Sequence, residues 1–455
     1  MVYLSHVSFV GNLASGGGWV KSGGGGNAVG GALFSRRSQL FVSNSSFASN
    51  AAAGGSCLID VGEIGGPSGD GLGGSVYLSA DSTAILQHCC FATNLVKGGD
   101  GTLFDPAGKA QGGAIFNLGT VQTQDSLFSS NTCRGGDLGV ARFIGGVAPS
   151  VGQGGAIFST NILCIDRCTF AGNVAAGGII SSYHAGLGLF PGASGDGGAL
   201  WSSGELRATN ATFAGNRAAG GYAATESGAA NGGAVCVASG TGVLVNVTIS
   251  GNRADGGYGP GDEGPGPANG GGLSCTNATV TLRNSILAYS ASGGDAWGVV
   301  TDAGYNICSD ATANFSAEGS LNNVDPRLGP LADNGGPTPT MLLLNGSPAQ
   351  DAIPVGFPAL DQRGVMRPQG VAADIGAVEG GKVQRVTSQI VLESSRTEVR
   401  ILIQATSGSS YRLLASPDLT DWTGVAFLST NSPGPMQFTQ PVLKDSSQFF
   451  QVVSP

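Results

Sequence analysis

The chain carries little charge: Asp, Glu, Lys and Arg make up only 11 % of its 455 residues, where an ordinary soluble domain has about 25 %. A hydrophobic content of 41 % nevertheless excludes a disordered polyelectrolyte, which is poor in apolar residues. The 20 prolines are too few, and the glycines too irregularly spaced, for collagen. No apolar run reaches the roughly 18 residues of a membrane span, so we predict no transmembrane segment.

Features that mark nucleic-acid or metal binding are also lacking. The net charge is −9 and no basic stripe is present, so we expect no nucleic-acid partner. The nine cysteines show no zinc-type spacing and are expected to be buried thiols. Asp70 and Asp196 each lie just before a Gly-Gly pair, as in calcium-binding repeats, but the nonapeptide period is absent. We interpret both as solvated turn residues and predict no cofactor, with calcium as the weaker alternative.

The N-terminus lacks a basic region followed by an apolar stretch, so it is not a signal peptide. The chain also enters its first repeat directly, at Phe9–Asn12, without the Gly-Gly half that precedes the later copies. We therefore expect the natural protein to be longer at this end, with its export signal and cap upstream. The expected localisation is secreted or cell-surface.

Glycine, by contrast, is abundant: the chain has 80, and each interior glycine costs a helix about 1 kcal/mol. Two linked motifs organise these glycines. The first, Phe-x-x-Asn or its isoleucine variant, occurs at Phe9–Asn12, Phe47–Asn50, Phe91–Asn94, Phe128–Asn131, Phe170–Asn173, Phe213–Asn216 and Ile249–Asn252. The second is Gly-Gly-small-aliphatic-aromatic, which precedes the last six copies, as in GGAIF at 112–116 and 154–158. The distance from the second glycine to the Phe or Ile stays at 15–17 residues, whereas the return from Asn to the next glycine pair varies from 17 to 25.

A repeat in which one half has constant length and the other half varies in length is typical of a stacked solenoid. We predict an all-β fold: a right-handed parallel β-helix with long Gly-rich loops, followed by a small antiparallel β-sandwich. Each repeat is expected to form one coil of roughly 20–25 residues plus an excursion, with two irregular coils per repeat as the alternative. The paired glycines supply corners with positive φ, and the other glycines are expected to fill the excursions.

Like residues should stack between coils. We predict a structural asparagine ladder, because asparagine tolerates a left-handed turn and its amides can bond along the axis. Its members are Asn12, Asn50, Asn94, Asn131, Asn173, Asn216 and Asn252. A second row lies one residue after the aliphatic position and is placed on the outer face by period-two alternation. This candidate ligand platform comprises Phe34, Tyr77, Phe116, Phe158 and Trp201; it either holds sugar rings or is covered by the excursions, and we favour the covered arrangement.

Catalytic patterns of β-helix enzymes are not visible at matched offsets. A hydrolase needs two carboxylates about 5–9.5 Å apart, but the position two residues before the Phe or Ile carries none from the second to the seventh motif copy. The three histidines, His6, His88 and His184, are interpreted as falling at unrelated offsets. Catalytic residues are therefore left unknown.

The GGAI and Phe-x-x-Asn repeats resemble those of the polymorphic outer-membrane protein family, whose passenger regions are parallel β-helices that act in adhesion. Strings within 304–379, such as VDPRLGPLADNGGPTPT (324–340) and DIGAVE (374–379), resemble the Q-type choice-of-anchor domain, which implies delivery to the cell surface. The string YRLLASPDLTDW (411–422) resembles a C-terminal module of secreted bacterial proteins. Within the anchor-like segment, we expect five charged residues to form a salt-bridged brace: Asp361, Arg363, Arg367, Asp374 and Glu379.

We therefore expect three parts: β-helix repeats over 1–290, a closing segment over 291–381, and a C-terminal β-sandwich module over 382–455. The expected function is a non-enzymatic one, adhesion or polysaccharide contact, with a polysaccharide or a host or neighbour-cell surface as partner. One alternative is a carbohydrate-active enzyme of the pectate-lyase-like type, either a polysaccharide lyase or a glycoside hydrolase. Another is a structural spacer in a surface fibre.

Overall fold

The computed structural model describes residues 1–18, 23–57, 66–102, 105–138, 149–180, 191–223, 226–259, 264–380, 391–394, 398–405, 409–416, 423–430, 434–441 and 449–453. The chain divides into two compact units, Met1–Gly380 and Gly381–Pro455. The first unit contains the repeats and the anchor-like segment, and the second contains only the tail.

Strands of the first unit pair in parallel with their counterparts one repeat away. Val76–Leu78, for example, lies between Leu33–Ser35 and Ile115–Asn117, with every position of the repeat opposite its equivalent. One repeat therefore makes one coil, and the predicted all-β parallel β-helix is confirmed.

Each coil contributes strands to five rows, A to E in chain order after the Gly-Gly corner. Row A comprises Leu33–Ser35, Val76–Leu78, Ile115–Asn117, Ile157–Ser159 and Leu200–Ser202, and row B comprises Val2–Ser5, Gln39–Ser43, Thr83–Gln87, Thr120–Gln124, Ile162–Asp166 and Glu205–Thr209. These two rows merge in the long strands Val235–Val245 and Leu273–Arg283, to which Ala296–Trp297 and Val300–Asp302 are added. Rows A and B thus belong to one 15-stranded sheet.

The other rows form separate parallel sheets. Row C comprises Ser8–Val10, Ser46–Ala48, Cys90–Ala92, Leu127–Ser129, Thr169–Ala171, Thr212–Ala214, Thr248–Ser250, Ile286–Ala288, Ile307–Cys308 and Leu321–Asn322. Row D comprises Leu13–Ser15, Ala51–Ala53, Leu95–Lys97, Thr132–Arg134, Val174–Ala176, Arg217–Ala219 and Arg253–Asp255. Row E, just before each corner, comprises Ala28–Val29, Gly71–Leu72, Ala110–Gln111, Gly152–Gln153, Gly195–Asp196, Ala230–Asn231 and Ala268–Asn269.

Side-chain size inside the coil falls from one side to the other. Rows A to C enclose aliphatic ladders and a stack of phenylalanines with ring centroids 4.6–4.8 Å apart. Rows D and E enclose mainly small residues such as Ala52, Ala110 and Cys133. The interior of the coil is therefore wide around the phenylalanine stack and narrow between rows D and E, where the excursion leaves the coil. All nine cysteines are free thiols; seven are buried, as expected, whereas Cys90 and Cys164 are half-buried.

At the narrow side, the backbones of the excursions stack on one another in a glycine column. Its outgoing members follow row D directly: Gly54–Gly55, Gly98–Gly99, Gly135–Gly136, Gly177–Gly178, Gly220–Gly221 and Gly256–Gly257. The N–H of Gly99 donates to the carbonyl of Gly69 on the returning arm of the preceding excursion, and the N–H of Gly108 donates back to Gly99. A methyl group on the second glycine of each outgoing pair would lie 1.9–2.2 Å from a carbonyl oxygen one coil away. The expectation that excursion glycines only fill variable loops is therefore wrong for this set, because their lack of a Cβ permits the stacking.

The asparagine ladder is a continuous column that is buried from Asn50 to Asn252 and exposed at Asn12. Each side-chain Nδ2 donates to the Oδ1 of the asparagine in the next coil, at 2.8–3.1 Å. The same Oδ1 accepts the backbone N–H of the first asparagine at 2.8–3.1 Å. The positive φ lies on the preceding residue, such as Ser49 or Thr93, so tolerance of a left-handed turn does not explain the asparagines. Their amides are selected because they saturate the backbone and one another.

The closing segment includes an antiparallel hairpin, Leu328–Ala332 with Thr340–Leu343, and lies against the outer side of row C. Thr169 donates to the carbonyl of Pro339 at 2.6 Å, and Thr212 donates to the Oε1 of Gln362 at 2.6 Å. These hydrogen bonds hold the segment along coils that come 150 residues or more earlier in the chain.

The predicted brace holds two buried ion pairs. Arg363 lies 2.8 Å from Asp361, and Arg367 lies 2.9 Å from Glu379. Asp374 is buried beside them and accepts the backbone N–H of Asp351 at 2.6 Å. Burial raises the pKa of the Asp374 carboxyl to about 7, with the negative charge of Glu379 adding to the effect.

This raised pKa predicts a pH-dependent stability. Between the ordinary pKa of 3.8 and about 7, folded Asp374 holds a proton that the unfolded chain releases, so this carboxyl stabilises the fold most at low pH. Its contribution should fall by up to about 1.4 kcal/mol per pH unit as the pH rises through that window. We expect Asp374→Asn to remove this slope when urea unfolding is compared at intervals from about pH 5 to pH 8. Parallel slopes for the wild type and the variant would contradict the prediction.

The second unit consists of two antiparallel sheets. The first pairs Val391–Ser394, Glu398–Ala405 and Gly434–Pro441, and the second pairs Thr423–Thr430, Ser409–Ser416 and Phe449–Val453. The antiparallel character predicted for the tail is confirmed. Residues 417–422, the end of the string at 411–422, lie outside the described residues.

Candidate functional site

A groove with a volume of about 360 Å³ runs across the outer face of row B, within the usual size range of ligand pockets. The side chains of this row B groove come from four consecutive coils: Ile85, Gln87, Gln122, Gln124, Cys164, Asp166, Arg207 and Thr209. Neighbouring strands lie about 4.8 Å apart, so four coils span about 14 Å. The strand alternation explains the lining, since Leu86, Val121 and Leu163 of the same strands are buried in the core.

A charged cluster borders the groove at the corner that follows row B. Arg167 forms a bidentate pair with Asp125, both N–O distances being 2.8 Å, and its Nη1 lies 3.2 Å from Asp166. His88 Nε2 lies 3.8 Å from Asp125, and Gln124 donates to the same carboxylate at 2.9 Å. One guanidinium group thus links two carboxylates from neighbouring coils.

The electrostatics of this corner cluster differ between its two carboxylates. The side chain of Asp125 is only 5 % exposed and both its oxygens are bound by Arg167. The side chain of Asp166 is 39 % exposed, and among the described residues its carboxylate contacts only Arg167. Burial and the charge of Asp125 raise the pKa of Asp166, while Arg167 opposes the shift. Asp125 is therefore a brace, and Asp166 is the carboxylate that faces the groove.

Cys164 also lines the groove. Burial raises the pKa of this thiol, although Arg207 acts in the opposite direction. Since the thiolate is the nucleophilic form, the raised pKa disfavours a nucleophilic role for Cys164.

The cluster is not visible when one offset of the repeat is compared at a time. The corner position, three residues before the Phe or Ile, reads His6, Asn44, His88, Asp125, Arg167, Asn210 and Asn246. His6 and His88 therefore share one offset, and the interpretation of unrelated offsets is wrong for them; His184 lies outside the described residues. All seven corner residues have positive φ, and an alignment of the repeats at this position would have exposed the pattern. Asp166 lies one position earlier, so only the stacked structure brings it to Asp125.

The predicted aromatic platform is a stack along the coil axis. Ring centroids from Phe34 to Trp201 lie 4.4–5.1 Å apart with nearly parallel planes. Phe116 and Phe158 are only 5 % and 4 % exposed, whereas Phe34 at the end of the row is 51 % exposed. The ring faces are thus occupied by neighbouring rings, which leaves the row B groove as the more accessible site.

Two acidic sites have structural partners. Asp196 is buried and accepts hydrogen bonds from Asn231, Ser194 and Gln153, so the interpretation of a solvated turn residue is wrong for it.

A second acidic site is formed by Asp295, Cys308 and Asp310, whose potential ligand atoms lie within 4.8 Å of one another. Both carboxylates there accept backbone and hydroxyl hydrogen bonds, and burial raises the pKa of Cys308 to about 12. This triad is therefore a hydrogen-bonded turn.

No protein-family model and no curated protein matches the chain. In the part of the chain that the structure describes, no helix is both long enough and apolar enough to cross a membrane. The class is consequently defined by fold and site: a parallel β-helix with a polar groove on one outer face.

Proposed function

We propose that this chain is a secreted or cell-surface β-helix protein that contacts polysaccharide through the row B groove. The observation that carries the proposal is the groove itself, to which each of four coils contributes a polar side chain beside the apolar Ile85. These side chains are Gln87, Gln122, Gln124, Asp166, Arg207 and Thr209. Glutamine offers both donors and acceptors, which suits a polymer rich in hydroxyl groups. The repetition of the coils suits a linear ligand that lies along the axis.

The resemblances noted in the sequence support the surface location. The repeats resemble those of the polymorphic outer-membrane protein family, and the closing segment resembles the Q-type choice-of-anchor domain. In this proposal the anchor-like segment serves to hold the β-helix at the cell surface, and its packing against row C makes the repeats and the anchor one stable unit. Adhesion then follows from binding a polymer on a host or neighbouring cell.

A carbohydrate-active enzyme is the second candidate, and the paired carboxylates Asp125 and Asp166 beside the groove favour it. Asp125 is saturated by Arg167, however, and a saturated carboxylate is a poor nucleophile or base. Reducing-sugar and unsaturated-product assays on polysaccharides that bind would distinguish the two. Product formation that is lost in Asp166→Asn would replace the binding proposal with the enzymatic one.

The binding proposal predicts that Gln122→Ala combined with Gln124→Ala weakens affinity by about tenfold or more, because each lost hydrogen bond contributes roughly 0.5–1.5 kcal/mol. Affinity is measured by isothermal titration calorimetry on the polysaccharide that binds best in a carbohydrate array. Gln39→Ala, an exposed glutamine of the same row outside the groove, is the matched control and should bind normally. Unchanged affinity in the double variant, together with a loss in Tyr77→Ala or Trp201→Ala, would move the site to the aromatic row.

A further inference from the structure

The carboxylates in and beside the row B groove differ in how closely they are paired with arginines. Glu205 pairs with Arg207, and Asp125 pairs with Arg167. Each guanidinium group therefore has a carboxylate partner, although the side chain of Arg207 is 66 % exposed whereas that of Arg167 is 20 % exposed. Asp166 is a third carboxylate, and its one ion pair within the described ranges is a 3.2 Å contact to Arg167, which already pairs with Asp125.

Of these three carboxylates, Asp166 has the most exposed side chain and the longest contact with an arginine. Its side chain is 39 % exposed and lines the groove, whereas Asp125 is buried and lies behind it. Partial burial removes part of the water that would otherwise stabilise the charge. A cationic donor that enters the groove would replace that water and complete the hydrogen bonding of Asp166.

A polyanionic ligand meets the opposite situation. The groove is lined by Asp166 and Arg207; together with Asp125, Arg167 and Glu205 beside it, three carboxylates face two guanidinium groups, which leaves one negative charge in excess there. The whole chain has a net charge of −9. His88 adds a positive charge only when protonated, and it lies on the far side of Asp125 at 3.8 Å. Uronate polymers would thus bring like charge against a partly desolvated carboxylate, which costs binding free energy.

We propose that the groove selects a linear polysaccharide of amino sugars, with an ammonium group paired to Asp166, and rejects polyuronates. This inference rests on the proposed polysaccharide contact and assigns its ligand class and specificity residue. A charge-assisted hydrogen bond contributes about 1.5–3 kcal/mol, which corresponds to about tenfold or more in affinity. The neutral glutamines Gln122 and Gln124 would bind the hydroxyl groups that all these polymers share.

The test compares three hexamers by calorimetry at about pH 6 and low salt: glucosamine, N-acetylglucosamine and galacturonate. We expect the glucosamine hexamer to bind about tenfold more tightly than the N-acetylated one, and the galacturonate hexamer to bind most weakly. Asp166→Asn should abolish the preference by weakening only the glucosamine hexamer. Asp81→Asn, which removes the same charge at an exposed site paired with Arg37, is the matched control and should preserve the preference.

Several results would overturn the inference. Asp166 would be rejected as an ammonium partner if the galacturonate hexamer bound most tightly, or if the glucosamine and N-acetylglucosamine hexamers bound equally. The same conclusion would follow if Asp166→Asn weakened the binding of these two hexamers equally. Tighter binding of a lysine hexamer than of the glucosamine hexamer would reject a glycan as the ligand. If the inference fails but the Gln122 and Gln124 double variant still weakens glycan binding, polysaccharide contact survives; if no glycan binds at all, both fail.

Discussion

Replacing Gly136 with alanine is expected to destabilise the β-helix by about 3 kcal/mol or more. A Cβ at this position would lie 2.1 Å from the carbonyl oxygen of Gly99, one coil away in the glycine column. The obstructing atom is a backbone carbonyl oxygen that accepts the N–H of Gly108 at 2.8 Å, so the clash cannot be relieved by a rotamer change. The measurement is urea unfolding followed by circular dichroism, compared with the wild type.

Gly215→Asn is the matched control for this prediction. Gly215 has φ +64 and no atom within 4 Å of its ideal Cβ position, and asparagine tolerates the left-handed region. The control should therefore change the free energy of unfolding by less than about 1 kcal/mol, within the range of ordinary surface substitutions. A similarly small loss for Gly136→Ala would mean that the column does not require glycine.

The parts of the fold that sequence analysis predicts are those in which one residue type recurs at one offset. Phe128 and Phe170 lie directly opposite each other in row C, and Asn131 bonds to Asn173, because parallel coils in register place equal offsets in contact. The paired glycines behave in the same way at each corner, where the first has positive φ. In such a fold, the spacing of the repeats along the sequence therefore predicts which residues of neighbouring coils are in contact.

The glycine column escaped prediction for a different reason. Gly136 and Gly178 stand in low-complexity stretches of variable length, so they do not differ in composition from loop glycines. Their requirement comes from a carbonyl of another coil, and the returning arm breaks the pattern with Ser150 and Ala193. Only the distance between the backbones of neighbouring coils distinguishes the glycines that cannot be replaced from those that can.

The candidate site escaped because its members differ in chemistry. Asp125 and Arg167 occupy equal offsets in neighbouring coils and attract each other because they are unlike. Asp166 lies one residue earlier, on the strand and not at the corner. A search for matched carboxylates finds stacked like charges, which a parallel β-helix avoids, whereas complementary pairs are what the stacking favours.

The asparagine ladder gives the second large effect. We expect Asn173→Leu to destabilise the β-helix by about 4 kcal/mol or more, because several buried groups lose their partner and each costs about 1–3 kcal/mol. The Nδ2 of Asn173 donates to the carbonyl of Phe128 and to Asn216, and its Oδ1 accepts both the backbone and the side-chain N–H of Asn131. Leucine has a similar volume but can make none of these bonds. Urea unfolding again provides the measurement.

Position within the ladder supplies the control. Asn12 lies at its exposed end, and among the described residues its side chain donates only to Asn50, so Asn12→Leu should cost less than about 1 kcal/mol. Equal losses at both positions would show that volume or strand propensity, and not the saturated amide column, controls stability.

A third variant separates hydrogen bonding from shape. Asn173→Asp keeps the side-chain outline and both acceptor bonds to Asn131, but it has no donor for Phe128 or Asn216 when ionised and buries a charge. Protonation restores one O–H donor and removes the charge, so its deficit relative to the wild type should shrink as the pH is lowered toward about 4. The leucine variant has no such group and should keep a constant deficit over the same range. A constant deficit in the aspartate variant as well would mean that the ladder acts through packing alone.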